Sequence, residues 1–210
     1  HESFLREFNG SHRYIIDYLL DEVLKRQPAA VRNFLSQTSI LKRFNASLCK
    51  ALTEDAHAAE TLAQLEQANL FLIPLDDQRG WYRYHHLFAD VLRAGLDEKS
   101  EQSANHRAAA WFEEQNLLPE ALSYRLSGKD TVQAARLLRM LAVDLLKNGE
   151  LQSLLSWLQA LPEAVIQADI ELVSYKALAM LLTGSILEAQ EYAVRAYHQH
   201  TQQFPHSSTG

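Results

Sequence analysis

Between Trp81 and Asp90 the chain reads Trp-Tyr-Arg-Tyr-His-His-Leu-Phe-Ala-Asp, its densest cluster of side chains able to do chemistry. Aromatic residues favour an extended strand, whereas Leu87, Asp90, Val91, Leu92, Arg93 and Ala94 restore helical spacing. His85 and His86 are therefore expected at a helix N-terminus. Unpaired backbone N–H groups and the positive end of the helix dipole gather at such a point, and an imidazole N–H adds a donor suited to a phosphate. In this reading His85 makes the phosphate contact, with Arg83 and His86 as possible supports, and His86 points elsewhere from the helix start. The plainer reading is a buried histidine satisfied by a backbone carbonyl. Residue types alone leave both open.

Other reaction chemistries find little footing. No Gly-x-x-x-x-Gly-Lys-Ser/Thr loop is present to cradle nucleotide phosphates, so these residues are not expected to turn over ATP. His-Glu-x-x-His, Cys-x-x-Cys and Gly-x-Ser-x-Gly are also missing, which removes the common zinc-hydrolase, structural-zinc and serine-hydrolase readings. His198, His200 and His206 invite a metal, yet an i, i+2 pair points to different faces of a helix. Asp76 and Asp77, beside Arg79 and Gly80, have the composition of a solvated turn. The expectation is no catalytic residue, no metal and no enzyme.

Composition bounds the rest. The 210 residues are 47% hydrophobic and 22% charged, as expected of a globular chain able to bury a core. Twenty Lys and Arg against 26 Asp and Glu give a net charge of −6, which argues against a broad basic face for nucleic acid. A single cysteine, Cys49, fits a reducing compartment, and no membrane span or signal peptide is evident, so a cytoplasmic location without a membrane partner is expected. The start at His1, without methionine and in mid-phrase, suggests a segment of something longer.

The elements that must position the histidines follow from periodicity. Ile16, Leu19, Leu20, Val23 and Leu24 share one helical face, and Pro28 stops that helix while suiting the start of the next, marked by Val31, Phe34 and Leu35. Asn45 is a plausible N-cap for a short helix carrying Leu48, Cys49 and Leu52. A further helix runs through Leu62 and Leu65 to Asn69. The period then changes: residues 70–75 and 81–84 read as strands around the turn 76–80. Helices, a hairpin and a closing helix make a winged helix. From Glu98 to Ser103 the chain turns polar and loses its pattern, which places a boundary there.

Beyond it the chain reads as helices with one apolar face each, in pairs of similar size. Ala104, Ala108, Trp111 and Phe112 lie on one, Leu118, Ala121, Leu122 and Leu126 on the next, and Ala134, Ala135, Leu138, Leu141, Ala142 and Leu145 on a third. Gly128, Gly149, Pro162 and Gly184 mark the breaks. Small residues such as Ala121, Ala135 and Ala189, and the phrase Gly184-Ser-Ile-Leu-Glu-Ala189 followed by Ala193, resemble tetratricopeptide packing, without the full consensus. The fold class expected is mostly α: a winged-helix domain at 13–97 with one hairpin, then tetratricopeptide-like helical hairpins at 103–204.

Asn69-Leu-Phe-Leu-Ile-Pro-Leu-Asp76 and Trp81 to Asp90, with Arg13 to Leu24 and Phe34-Leu-Ser-Gln-Thr-Ser-Ile-Leu41 upstream, resemble the winged-helix region of the large ATP-binding LuxR-type transcriptional regulators, the MalT-like group of STAND ATPases. The resemblance implies that residues 1–12 end an upstream nucleotide-binding module, a partner of this segment. It also implies that His85 matches the histidine of the Met-His-Asp motif, which reaches bound diphosphate, with His86 in place of the aspartate. ATP or ADP would belong to the full-length protein and no cofactor to this segment. A small-molecule inducer or protein effector would bind the helical repeats, whose concave side Tyr175, Tyr192 and Tyr197 could line; the active form would self-associate, and DNA would be met only through a separate C-terminal domain. The alternative is a DNA-binding winged helix carrying a helical dimerisation or effector domain. Against it stand Glu54, Asp55, Glu60 and Glu66 before the hairpin and Asp76 and Asp77 at its tip, since acidic surfaces repel phosphates.

Overall fold

The computed structural model describes residues 19–68 and 70–203, and these are mostly helical with one two-stranded antiparallel hairpin among them. The upstream phrase at 1–12, the first part of the helix drawn through Ile16, the Asn69 cap, His206 and the His200 side chain lie outside the described residues. The chain divides into two compact units between Trp111 and Phe112.

In the first unit a π-helical turn, Leu19–Leu24, buries Leu19 and Val23. Pro28 then occupies the N-cap position of α1 (Ala29–Thr38). Its fixed φ and missing N–H cost nothing at a helix start, where the first N–H groups have no helical partner. Asn45 caps α2 (Ala46–Thr53) as its residue type predicts, its side-chain oxygen accepting from the Leu48 N–H at 2.8 Å. After α3 (Ala58–Gln67) come β1 (Leu72–Pro74), β2 (Tyr82–Tyr84) and α4 (His86–Ala94). Phe34, Leu35, Phe44, Leu48, Leu52, Leu62 and Phe88 fill the core between them.

The hairpin is shorter than its composition suggests. Leu72 faces Tyr84, Ile73 faces Arg83 and Pro74 faces Tyr82. Phe71 adopts φ 56°, which breaks the extended backbone one residue after the strand's expected start, and Trp81 contributes only its carbonyl to the pairing, accepting from Leu75 N at 2.8 Å. Phe44, from the stretch before α2, exchanges both backbone hydrogen bonds with Tyr82 at 2.8 Å, so β2 is paired on two sides. That long-range bridge left no mark in the local pattern.

The polar stretch at 98–103 is not irregular. It forms the opening turns of α5 (Glu98–Glu114), where Asp97 accepts from the Ser100 N–H at 3.0 Å and hydroxyl at 2.6 Å. These turns are mostly solvated, so the apolar period becomes visible only from Ala104.

The second unit takes the end of α5 and adds α6 (Leu118–Ser127), α7 (Thr131–Lys147), α8 (Leu151–Ala160), α9 (Glu163–Gln167), α10 (Ile170–Leu182) and α11 (Ile186–Gln203). Ala134, Ala135, Leu138, Ala142 and Leu145 are buried on α7 as their spacing predicts, joined by Leu137, while Leu141 is half-buried. Gly149 and Gly184 close their helices at φ 73° and 92°, a conformation that L side chains rarely adopt. Helices pack mainly on sequence neighbours, α6 on α7 and α10 on α11, with α7 also meeting α10. The pairs are not of similar size. Pro162 starts α9, which runs only five residues before Asp169 caps α10 by accepting from Glu171 and Leu172 N–H. On α10 and α11 the apolar Leu178, Leu181, Leu182, Ile186 and Leu187 remain exposed.

Candidate functional site

The junction from β2 to α4 is held from beneath by two tyrosines. Strand alternation buries Tyr82 and Tyr84 and exposes Arg83 between them. The Tyr84 ring lies 4.6 Å from Phe44 and 5.8 Å from Phe88 between centroids, and its hydroxyl meets Thr38 Oγ1 at 2.8 Å. Burial pushes that phenol well above the ordinary tyrosine range, so it stays neutral. Tyr82 donates to Glu66 Oε2 at 2.9 Å, and Arg79 at the hairpin tip donates to Glu66 Oε1 at 2.8 Å. One carboxylate of α3 thus clamps both the strand and the turn. Asp76, expected as a solvated turn residue, accepts from the N–H groups of Gly80 and Trp81 at 2.8 Å each.

On this support His85 takes the N-cap position of α4, with φ −57° and ψ 136°. Its N–H donates to Phe71 O at 2.8 Å and its carbonyl accepts from Ala89 N at 3.0 Å, so the backbone is locked while the ring is half-buried. Neither histidine ring makes a hydrogen bond among the described residues, so a ring satisfied by a backbone carbonyl does not describe His85. The helix start has no side-chain cap and no acidic residue in its first turn. The helix's own first turn therefore brings no competing anion to these N–H groups. His86 is exposed but does not point away: its ring lies against that of His85, with centroids 4.4 Å apart and planes inclined by 30°. At the change from extended to helical backbone, adjacent side chains do not diverge as they do along a strand. Arg83 is exposed, with no ion pair among the described residues.

Three contacts of this region escaped the sequence pattern. The Arg43 guanidinium sits 4.6 Å over the Trp81 ring, and Trp81 meets the edge of Trp111 at 6.2 Å, whose indole N–H donates to Ser47 at 3.1 Å. Trp81 is thereby a structural residue. Nothing in local spacing brings positions 43, 47, 81 and 111 together.

Elsewhere, Cys49 is fully buried and its thiol is pushed up to about 12 by burial, which keeps it protonated and unreactive. Of the three tyrosines considered for ligand contact, Tyr192 is buried, Tyr175 half-buried and Tyr197 exposed. Among the described residues no three His, Cys, Asp or Glu side chains gather as a metal would need, and no helix is long and apolar enough to cross a membrane.

The family model of the MalT winged helix domain matches residues 20–104, a span that takes in every element from the π-helical turn through α4 and the opening turns of α5.

Proposed function

We propose that this chain is the relay segment of a transcription regulator of the MalT type, coupling nucleotide state, felt by the winged helix, to an effector bound on the helical unit. The MalT winged-helix match at residues 20–104 is the observation that carries the regulator assignment. The relay rests on the start of α4, which has no side-chain cap and no acidic residue in its first turn, and where the His85 and His86 rings lie against each other. Such a constellation suits a diphosphate held by an upstream nucleotide-binding domain, with His85 as the contact and Arg83 and His86 as supports. Diphosphate would hold a closed form; effector and triphosphate would favour an open, self-associating one. Each ligand must bind one state better than the other for this to work. A reading in which the winged helix itself binds DNA is poorly supported. The helix before the hairpin, α3, carries Glu60 and Glu66 and no Lys or Arg, and Arg79 of the hairpin tip is already spent on Glu66.

The test is His85→Ala in the longer regulator. A charge-assisted hydrogen bond contributes about 1.5 to 3 kcal/mol, so the closed form should weaken by about ten-fold to over a hundred-fold, giving transcription with little or no inducer. A well-folded but inactive His85→Ala regulator overturns the relay. The chain alone should bind ADP no better than about millimolar, because His85 supplies at most one or two hydrogen bonds.

A further inference from the structure

The second unit contains a polar cleft that the relay does not use. It occupies about 340 Å³ between α9, α10 and α11 and is lined by Glu163, Gln167, Lys176, Tyr192 and Arg195. Its charges are mixed and unequally engaged. Glu163 accepts from Lys176 Nζ at 2.8 Å and from Gln167 Nε2 at 2.6 Å, and the Lys176 ammonium also lies 4.5 Å over the Tyr192 ring. The Glu163 charge is thereby largely answered. Arg195 is exposed at the rim, with only its Nε directed to the Glu191 carbonyl at 3.4 Å, so the two terminal nitrogens of its fork have no partner among the described residues. Two further polar atoms are shut off from solvent without a hydrogen bond of good geometry: the Gln167 side-chain oxygen, an acceptor, and the Tyr192 hydroxyl, which the neighbouring Glu163 carboxylate engages only loosely. Tyr192 itself is only 7% exposed.

A buried polar atom without a partner costs free energy until something supplies one. A bare anion would answer Arg195 and leave the Gln167 oxygen unpaired, while a cation would be opposed by Lys176 and Arg195. A neutral polyol would cover charges without pairing them. We infer that the cleft takes a small carboxylate bearing a hydrogen-bond donor on the adjacent carbon, an α-amino or α-hydroxy acid. The carboxylate would sit on the free fork of Arg195 with the Tyr192 hydroxyl as a further donor, and the ligand's own N–H or O–H would be donated to Gln167 Oε1. Accessible charge draws the ligand in; the two sealed atoms meet it by side-chain rotation at the cleft floor, a common adjustment on binding. This deepens the sensory half of the proposed function and rests on that reading for its biological use alone. Binding is read on this chain, whereas the relay is read from reporter output, so either can fail by itself.

Calorimetry of the 210-residue chain against L-alanine, L-lactate, acetate and glycerol tests the assignment. Saturable binding of alanine or lactate is expected, with acetate and glycerol weaker by at least about ten-fold, and the better of the first two identifies the donor as ammonium or hydroxyl. Arg195→Gln should weaken binding by about ten-fold or more and Tyr192→Phe by about three- to ten-fold, with the melting of the unliganded variants close to that of the parent. Acetate or glycerol binding as tightly as alanine and lactate, no binding by any of the four, or equal binding by parent and both variants would each overturn it.

Discussion

Each of the two units is held together internally, and by a different kind of contact. In the first, the connections run between residues far apart in sequence: Phe44 with Tyr82, Thr38 with Tyr84, Ser39 with Arg93, and Ser47 with Trp111. In the second, they run mostly between successive helices. Glu113 of α5 accepts from Arg125 of α6 at 2.8 and 2.9 Å and from Arg136 of α7, Arg125 also donates to Asp130 at 3.0 Å, Arg139 pairs with Asp169, and Lys176 with Glu163. A winged helix must close several elements around one core, whereas stacked helices need only satisfy the next one along. The first unit should thus lose stability through single core residues, and the second through charges that tie neighbours.

The largest effect should come from the first unit. Phe44 is fully buried, touches the Tyr84 ring and carries the backbone bridge to β2. Phe44→Ala should cost about 3–5 kcal/mol in chemical denaturation followed by Trp81 and Trp111 fluorescence. A loss well below that range would remove the contrast. In the second unit Glu113→Ala takes one acceptor from each of two arginines, leaving Arg125 its bond to Asp130 and Arg136 its bond to Gln133. Its side chain is 20% exposed and the two guanidiniums 14% and 39%, so the cost is set at about 1–2 kcal/mol, below that of a fully buried pair. Molar salt should shrink the difference between Glu113→Ala and the parent, and a salt-independent difference would point to packing instead.

Tyr84→Phe sharpens the comparison, since it removes the hydroxyl while keeping both ring contacts. Thr38 retains its bond to the Phe34 carbonyl at 2.7 Å, so a loss of about 1 kcal/mol is expected by equilibrium unfolding. An unchanged midpoint would assign Tyr84 to packing alone. The smallest effect is acidic. Partial burial would raise the Glu163 carboxyl, but hydrogen bonding from Lys176, Gln167 and Tyr192 and the Lys176 charge outweigh it and hold its pKa below the ordinary value of 4.5. A depressed carboxyl contributes stability that is present above the unfolded value and lost as pH falls through the folded one. Because the side chain is 53% exposed, the loss is small. Melting of Lys176→Gln and the parent should differ above pH 4.5 and converge as pH falls further; a gap that persists in acid would show that the pair acts through packing.

Much of this was legible along the chain. The Asn45 cap, the break at Pro28 and the glycine stops after α7 and α10 follow from residue types acting within a turn of themselves. The apolar stripe of α7 needed only its own period. What escaped were contacts with no local signature: the left-handed Phe71 that shortens the hairpin, the Phe44 bridge, and Arg43 stacked on Trp81. The polar opening of α5 was misleading for the opposite reason, because a solvated helix turn and a loop share a composition.

At the candidate site the division is sharp. Sequence by itself determined that His85 and His86 begin a helix after a strand, because aromatic residues and then helical spacing prescribe that change of period. Only the tertiary structure decided that the two rings lie against each other, that Tyr82 and Tyr84 are neutral supports, and that Glu66 holds the hairpin tip. Local preference acts through a residue's own backbone, but the orientation of a side chain is chosen by whatever the rest of the chain brings against it.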